Sequence, residues 1–144
     1  MHVRDVLKSK GGKIISIGPE ATVAEAIGRL VQNNIGSLPI IDDQEHLIGI
    51  ISERDVLRGI HNHGERFYSM RVAEFMTRGA VTCDLEADVN AVMGQMSDRR
   101  IAKVPVLHDD KLVGIVSVGD VIKVLYDQVS SENQHLLSYI HGSV

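Results

Sequence analysis

Residues 49–57, GIISERDVL, return as residues 114–122, GIVSVGDVI, 65 positions further along the chain. In each copy a glycine and two β-branched residues are typical of a buried strand, and the serine that follows is a preferred N-cap residue. The aspartate three residues later then lies in the first helical turn, where its carboxylate can accept a backbone hydrogen bond and is favoured by the helix dipole. The two pairs are Ser52 with Asp55 and Ser117 with Asp120. One such pair is typical of an ordinary helix start, but its return indicates a duplicated structural unit.

The duplication extends beyond this stretch. Residues 35–41 match residues 101–107, with a proline at the same place in both, and residues 19–23 match residues 85–89. Each copy spans roughly 55 to 60 residues, a length at which a separate hydrophobic core is marginal. The sequence therefore predicts two pseudo-symmetric halves that fold as one module.

Composition excludes several classes of protein. With 144 residues, 44% hydrophobic and 24% charged, the chain is typical of a globular protein. A net charge of -4 argues against a nucleic-acid partner, which requires a basic face. The single cysteine, Cys83, cannot form an internal disulfide. No signal sequence or membrane-spanning run is recognised, so we expect a cytoplasmic protein that does not enter a membrane.

Apolar periodicity predicts an α+β fold in which each copy has the order strand, helix, strand, strand, helix. In the first copy we expect a leading helical segment ended by Gly11 and Gly12, a strand at 14–17, and a helix over 23–31 with a Thr22-x-x-Glu25 capping box. Strands at 37–41 and 47–51, a helix at 53–60 and a polar connector at 61–66 are expected to follow. In the second we expect a strand at 80–83, a helix at 89–97, strands at 103–107 and 112–116, and a helix from 118 to about 129. A separate amphipathic segment, 131–140, is predicted to end at Gly142 and to pack on the body of the protein or on a second subunit.

The repeated pairs also have the chemistry of a nucleotide site. A helix start that follows a glycine offers free backbone N–H groups and a positive dipole to a phosphate. A carboxylate one turn into the helix can accept hydrogen bonds from both hydroxyls of a ribose, as an acidic residue does in dinucleotide-binding folds. Gly119 is a poor helix former, yet it leaves room where a ligand could approach. The alternative reading, two helix caps without a ligand, stays open at this point.

The motif G-h-h-S-x-x-D twice, the motif h-x-x-h-P-h-h twice and the order of elements resemble a tandem pair of cystathionine-β-synthase (CBS) domains, also called a Bateman module. The resemblance covers the chain from about Val3 to Leu125. It implies two β-α-β-β-α repeats at 1–60 and 72–126, a linker at 61–71 and a C-terminal helix at 127–144. It further implies a regulatory protein of signal transduction, not an enzyme, that binds an adenine nucleotide such as AMP, ADP, ATP or NAD between the repeats.

Carried over residue by residue, the resemblance makes Asp55 and Asp120 the ribose acceptors, with Ser52 and Ser117 near ribose or phosphate. Each carboxylate is expected to face base-pocket residues of the other repeat. For Asp120 these are Ser16, Ile17, Ile35, Gly36, Ser37 and Pro39, and for Asp55 they are Thr82, Cys83, Ile101, Ala102 and Pro105. Lys103 and Arg54 are candidates for phosphate contacts, whereas a solvated helix end explains Arg99 and Arg100 equally well.

The resemblance also implies a homodimer formed through helices. The apolar residues Val121, Ile122, Val124 and Leu125, together with the last helix, are candidates for its surface. Since no catalytic or transport domain accompanies the pair, occupancy would be passed to a partner protein whose identity is unknown. Two other functions stay open: a structural or interaction module with a vestigial cleft, and an enzyme of unrecognised activity. The pair His61 and His63 is more typical of a solvated linker than of a metal site.

Overall fold

The computed structural model describes residues 1–141. Its elements are helix α1 (Val3–Lys10), helix α2 (Val23–Gln32), strand β1 (Ser37–Ile41), strand β2 (Leu47–Ser52), helix α3 (Glu53–His63), two 3-10 turns (Gly64–Ser69 and Val72–Glu74), strand β3 (Cys83–Asp84), helix α4 (Val89–Arg99), strand β4 (Lys103–His108), strand β5 (Lys111–Ser117) and helix α5 (Val118–Ile140). The predicted α+β class is confirmed, and the order strand, helix, strand, strand, helix is confirmed in the second copy; in the first copy the leading strand is only a bridge. Within residues 1–141, no helix combines the length and apolar character needed to cross a bilayer.

The chain forms two compact units. Unit 1 contains Met1–Gly12, Cys83–Val106 and the chain from Ile115 on, and unit 2 contains Lys13–Thr82 and Leu107–Gly114. Unit 1 therefore holds α1 and most of the second repeat, and unit 2 holds the rest of the first repeat together with residues 70–82 and 107–114, where β4 ends and β5 begins. The repeat boundaries predicted above describe sequence segments and stay a prediction, because compactness divides the chain differently.

Unit 2 is built on the hairpin of β1 and β2. The two strands are antiparallel, with Leu38 opposite Ile51 and Pro39 opposite Ile50. Helix α2 begins at Thr22, whose side chain accepts a hydrogen bond from the backbone N–H of Glu25, so this half of the predicted capping box is present. The buried core of the unit consists of Ile17, Ala26, Leu30, Leu38, Ile40, Ile51, Val72 and Met76.

Unit 1 has a matching core around the second repeat. Strands β3, β4 and β5 form one sheet in that order. Helices α4 and α5 begin at Asp88 and Ser117, whose side chains accept hydrogen bonds from backbone N–H groups in the first turn. The buried core consists of Val3, Val6, Cys83, Val89, Val92, Met96, Val104, Val106, Val116 and Val121.

The segment that precedes each repeat is bound to the other repeat. In unit 1 the backbone bonds are Val3 N to Ala87 O, Arg4 N to Leu85 O and Val89 N to Met1 O, at 2.9, 2.9 and 3.0 Å. In unit 2 the equivalent bonds are Val72 N to Ala21 O, Ala73 N to Pro19 O and Val23 N to Met70 O, at 2.9, 3.2 and 2.8 Å. One surface ion pair accompanies each set, Arg4 with Glu86 and Arg71 with Glu20. We call residues 1–12 and 70–77 the exchanged leading segments.

Two predictions for the first repeat need correction. The strand expected at 14–17 is reduced to a single bridge between Ile17 and Ile40, because only Ile17 reaches the hairpin with both backbone groups. The connector expected at 61–66 does not exist, since α3 runs to His63 and a 3-10 turn follows directly. The helix continues because Phe67 folds back and packs, fully buried, against Gly59.

The second repeat differs from the prediction in its last helix and first strand. Residues 118–140 form one helix, α5, instead of two segments, because nothing in that stretch breaks a helix. The strand expected at 80–83 is the short β3, Cys83–Asp84. Residues 131–140 are exposed, so they do not pack on the described body, and the predicted end at Gly142 lies outside the described residues. Val121 is buried in the core and is therefore not available to a dimer surface.

Candidate functional site

Asp55 is held at the start of α3 by the residue that caps the helix. Its Oδ2 accepts hydrogen bonds from Ser52 N at 2.8 Å and from Ser52 Oγ at 2.9 Å, while Asp55 N donates to Ser52 Oγ at 3.3 Å. The other carboxylate oxygen, Oδ1, receives only a long hydrogen bond, 3.4 Å, from Thr77 Oγ1. The helix cap therefore fixes one oxygen of the carboxylate and leaves the other weakly engaged.

Asp120 repeats this arrangement at the start of α5 in unit 1. Its Oδ2 accepts a hydrogen bond from Ser117 N at 3.0 Å, and Asp120 N donates to Ser117 Oγ at 3.1 Å. A cation is also present, because Lys10 Nζ lies 2.9 Å from Asp120 Oδ2 and donates to Ile115 O at 3.0 Å. The two helix starts are thus alike in their caps and different in their third partner.

The surroundings of Asp120 favour its ionised form. Partial burial alone would raise the pKa of this carboxyl, but the hydrogen bonds from Lys10 Nζ and from Ser117, together with the charge of Lys10, hold the pKa below its ordinary value of 3.8. At neutral pH the group is a carboxylate, which can only accept hydrogen bonds. It is therefore suited to bind hydroxyl donors such as a ribose diol.

Each helix start lies beside the h-x-x-h-P-h-h segment of its own repeat. The backbone N–H of Glu53 donates to Gly36 O at 3.0 Å, and that of Val118 donates to Ala102 O at 2.9 Å. Of the residues predicted for the two base pockets, the structure brings two groups next to a cap. These are Ile35, Gly36 and Ser37 beside Ser52, and Ile101 and Ala102 beside Ser117. The predicted combination of each carboxylate with the pocket residues of the other repeat stays a prediction.

The remaining predicted residues fall into buried and exposed classes. Ile17, Pro39, Cys83 and Pro105 are buried, Ser16 and Thr82 are half-buried, and Arg54, Lys103 and Gly119 are exposed. The O of Ser16 accepts a hydrogen bond from Arg29, so it is engaged within unit 2. Burial raises the pKa of the Cys83 thiol to about 11, so this residue is a packing group and not a nucleophile at neutral pH.

The approach to the second helix start is open at Gly119. A Cβ at this position would meet only Ser117 Oγ, at 3.8 Å, which is ordinary contact. Crowding inside the described chain therefore does not require glycine here. The equivalent residue of the first repeat is Arg54, an exposed cation, so the two helix starts also differ in the side chain that precedes the aspartate.

Two residues beside the carboxylates, Lys10 and Thr77, escaped the sequence analysis. Both belong to the exchanged leading segments, which no local pattern assigns to the other repeat. The only sequence signal is the repeat, because the segment before each copy has a matching apolar residue, Val3 or Val72. Sequence spacing alone does not show which helix start either segment contacts. Their position at the carboxylates is thus a product of tertiary packing.

The comparisons with known proteins agree on one family. The family model of the CBS domain matches residues 3–62 and again residues 72–127. The chain is 36% identical to "CBS domain-containing protein CBSX3, mitochondrial" of Arabidopsis thaliana, over 97% of this chain and 72% of that protein. The CBS-domain protein ATU1752 of Agrobacterium tumefaciens superposes with a TM-score of 0.77 at 31% identity, covering 86% of this chain and 98% of that one. The CBS domain pair of protein MJ0100, solved in complex with 5′-methylthioadenosine and S-adenosyl-L-methionine, superposes with a TM-score of 0.75 at 29% identity over 89% and 98%.

Proposed function

The chain belongs to the CBS-domain family, and on that premise we propose that it is a regulatory module that binds an adenosine-containing ligand at its two serine–aspartate helix starts. The observation that carries the proposal is the pair of capped carboxylates. In both, the cap fixes Oδ2 by a backbone N–H and leaves Oδ1 with no strong donor among the described residues. A diol that approaches from the open side meets an oriented acceptor.

The chemistry of the helix start supports a ligand that has ribose and phosphate together. In α3 and α5 the first N–H group donates to Gly36 O or Ala102 O and the third to the capping serine, so the second, that of Arg54 or Gly119, is the one left for an anion, which the helix dipole favours. The carboxylate one turn further supplies the hydroxyl acceptor. AMP, ADP, ATP and NAD combine these groups, and the MJ0100 domain pair was solved with two other adenosine compounds. Adenosine is the part that all of them share.

The mode of action in this proposal is binding without turnover. A ligand shifts a conformational equilibrium only by its difference in affinity for the two states, so occupancy is passed on as a change of shape to a partner protein that remains to be identified. We also propose a homodimer, in which the exposed apolar residues of α5 meet a second copy. A reducing, cytoplasmic compartment suits the free thiol of Cys83.

Thermal unfolding in the presence of ligands tests the proposal. AMP, ATP and NAD are added to the purified protein, each beside its 2′-deoxy analogue where one exists. At about 100 times its dissociation constant, a ligand that binds only the native state stabilises it by roughly 2.7 kcal/mol, which is a rise of several degrees in Tm. We expect the ribose forms to raise Tm more than the deoxy forms, since the deoxy sugar offers one hydroxyl fewer.

The same experiment separates the alternatives. No change in Tm with any adenosine compound would contradict the proposal and favour the structural or interaction module. Equal stabilisation by ribose and deoxyribose forms would show that the carboxylates do not bind the ribose hydroxyls. Product formed from a bound nucleotide, seen by chromatography after incubation, would favour the enzyme.

A further inference from the structure

Lys10 distinguishes the two candidate sites. Its ammonium lies 2.9 Å from Asp120 Oδ2 and 3.0 Å from Ile115 O, so it is held by an ion pair and a hydrogen bond at the same time. The side chain of Asp120 is 22% exposed and that of Lys10 is 40% exposed. The pair is therefore partly shielded from water, and Lys10 remains accessible to a ligand.

The site of Asp55 has no such cation. In unit 2 the leading segment brings Thr77 to the helix start instead: its hydroxyl lies 3.4 Å from Asp55 Oδ1, not from the Oδ2 that corresponds to the oxygen bound by Lys10, and its backbone N–H and C=O bond to Ile50. Within residues 1–141, Asp55 takes part in no ion pair. Ile50 and Ile115 are equivalent residues of the two repeats, so the leading segments reach the same place with a neutral group in one unit and a charged group in the other.

The ammonium of Lys10 adds a cost to the binding of a ribose at Asp120, because it already occupies one carboxylate oxygen. Asp120 Oδ2 already accepts from Ser117 N and from Lys10, so a diol that engages both carboxylate oxygens has to displace the ammonium. A displaced ammonium that finds no acceptor loses a charge-assisted hydrogen bond, which disfavours the complex. A phosphate on the ligand removes this loss, because it offers the ammonium a new anionic partner close to the helix start.

We propose that Lys10 is a specificity-determining residue that makes the Asp120 site select phosphorylated adenosine ligands over uncharged ones, an inference that rests on the proposed function. The Asp55 site, with only a threonine hydroxyl in that place, does not discriminate in this way. The side chain can make the exchange without rearranging the helix, because Lys10 is the last residue of α1 and its flexible four-carbon stem lies at the surface. The Asp120 site therefore prefers phosphorylated ligands, whereas the Asp55 site binds charged and uncharged ligands without this preference.

Calorimetric titration with adenosine and with AMP tests this. All variants are made in the Asp55→Asn background, so that binding reports on the Asp120 site. We expect Lys10→Met to bind adenosine more tightly and AMP more weakly, which lowers the preference for AMP by roughly three- to tenfold. Lys10→Arg keeps a cation and should retain the preference. Lys8→Met is the matched control, since Lys8 lies in the same helical turn, is exposed and takes part in no ion pair within residues 1–141.

The outcomes separate this inference from the proposed function. An unchanged preference in Lys10→Met, with AMP still bound in the Asp55→Asn background, overturns the role of Lys10 and leaves nucleotide binding intact. The role of Lys10 is also overturned if Lys8→Met lowers the preference for AMP as much as Lys10→Met does, because the effect would then come from the net charge of the protein and not from the position of Lys10. Binding that survives in Asp120→Asn but is absent in Asp55→Asn also overturns the inference, whereas the absence of binding in the wild type overturns the proposed function itself.

Discussion

Asp55 and Asp120 each cap a helix and, under the proposed function, also bind the ligand. As the third residue of its helix, each accepts a hydrogen bond from the backbone N–H of the capping serine, which stabilises the helix start. Under the proposed function each carboxylate, with one oxygen weakly engaged, is also an acceptor for the hydroxyl groups of a ligand. The two roles respond differently to a change that keeps the shape of the side chain and removes its charge.

Replacement of either aspartate by asparagine separates the roles. Asparagine presents one oxygen and one N–H₂ group, so it can still serve the cap but cannot accept two hydroxyl hydrogens. We expect Asp55→Asn and Asp120→Asn each to lower stability by a few tenths to about 1 kcal/mol, and at least one of them to weaken nucleotide binding by roughly tenfold to a hundredfold. Chemical denaturation and calorimetric titration measure the two effects.

Asp5→Asn supplies the control for this pair. Asp5 occupies the same position in α1, and its Oδ2 accepts a hydrogen bond from His2 N at 3.0 Å without belonging to a serine–aspartate pair. It should lose a similar amount of stability and no affinity. Unchanged affinity for every bound ligand in both Asp55→Asn and Asp120→Asn would reduce the motif to a helix cap.

The ion pair of Lys10 and Asp120 makes stability depend on pH. Because the pKa of Asp120 is lower in the folded protein than in the unfolded chain, its contribution is complete above the unfolded pKa, near 3.8, and is lost as the pH falls through the folded pKa. We expect Lys10→Met to lower the free energy of unfolding at pH 7 by at most about 1 kcal/mol, since solvent screens the exposed ammonium. The difference from wild type should shrink below pH 4.

Denaturation of both proteins from pH 3 to pH 7 gives this difference directly. Lys8→Met should show no comparable change with pH. A wild-type advantage that is constant over the whole range would mean that Lys10 stabilises by packing of its stem and not by its charge.

At the level of single residues, the sequence predicts the cap residues but not the residues that contact them from other segments. Ser52 and Asp55 are predictable because a capping box depends on residues three positions apart. Lys10 and Thr77 are not, because each lies far in sequence from the aspartate it contacts. Their place depends on the exchange of leading segments, which only the folded chain reveals.

Among the elements, α3 is longer than predicted for a reason that lies in its partner. Its last turns are polar, with two histidines, and the sequence there is typical of a connector. The structure continues the helix to His63 because Phe67, in the following 3-10 turn, packs against Gly59, while its ring lies 4.7 Å from that of Phe75 in an edge-to-face contact. Tertiary contacts thus outweigh the local preference.

Gly59→Ala tests this contact. A methyl group at position 59 would overlap the ring of Phe67, which is fully buried and cannot retreat without loss of packing. We expect a loss of roughly 1 to 3 kcal/mol in the free energy of unfolding, measured by denaturation. Gly28→Ala in α2 is the control, since a methyl group there meets no atom within 4 Å and should raise stability by up to about 1 kcal/mol. Stabilisation by both changes would show that Phe67 does not constrain α3.

Helices and hairpins with strong periodicity were predicted well because their signals are local. Helix α2, strand β1 and strand β2 begin at or within one residue of their predicted places. The strands at 14–17 and 80–83 were overestimated because apolar residues there serve the core without a ladder of hydrogen bonds. Helix α5 was predicted as two segments, whereas its backbone is helical without a break from Val118 to Ile140.

For the whole molecule, the exposed apolar face of α5 is the feature that supports the proposed homodimer. Ile122, Tyr126, Val129, Leu136 and Ile140 are all more than half exposed, and their spacing alternates between three and four residues if Asn133 is counted. This spacing is that of a coiled-coil seam, in which a single polar residue is tolerated. A stripe of this kind on one long helix is unfavourable in water and suits a matching helix.

We expect the protein to sediment as a dimer at micromolar concentration and removal of residues 131–144 to weaken the dimer. Leu136→Glu should have the same effect, because it places a charge in the seam. Ser138→Glu adds the same charge two residues away, on another face of the helix, and should leave the dimer intact. A monomeric wild type, or equal dissociation by both glutamate variants, would contradict the role of this face.

The exchange of leading segments also sets the order in which the chain can fold as it leaves the ribosome. The core of unit 2 lies entirely between Ile17 and Met76, so it can form while the second repeat is still being made. Helix α1 precedes unit 2 in the chain and has its partners at Leu85 and Ala87. At roughly 5 to 20 residues per second it waits several seconds, with Val3 and Val6 uncovered, for the segment that will bury them. Helix α1 is thus synthesised before the core of unit 2 and reaches its place after it, and its two valines are open to chaperones in the meantime.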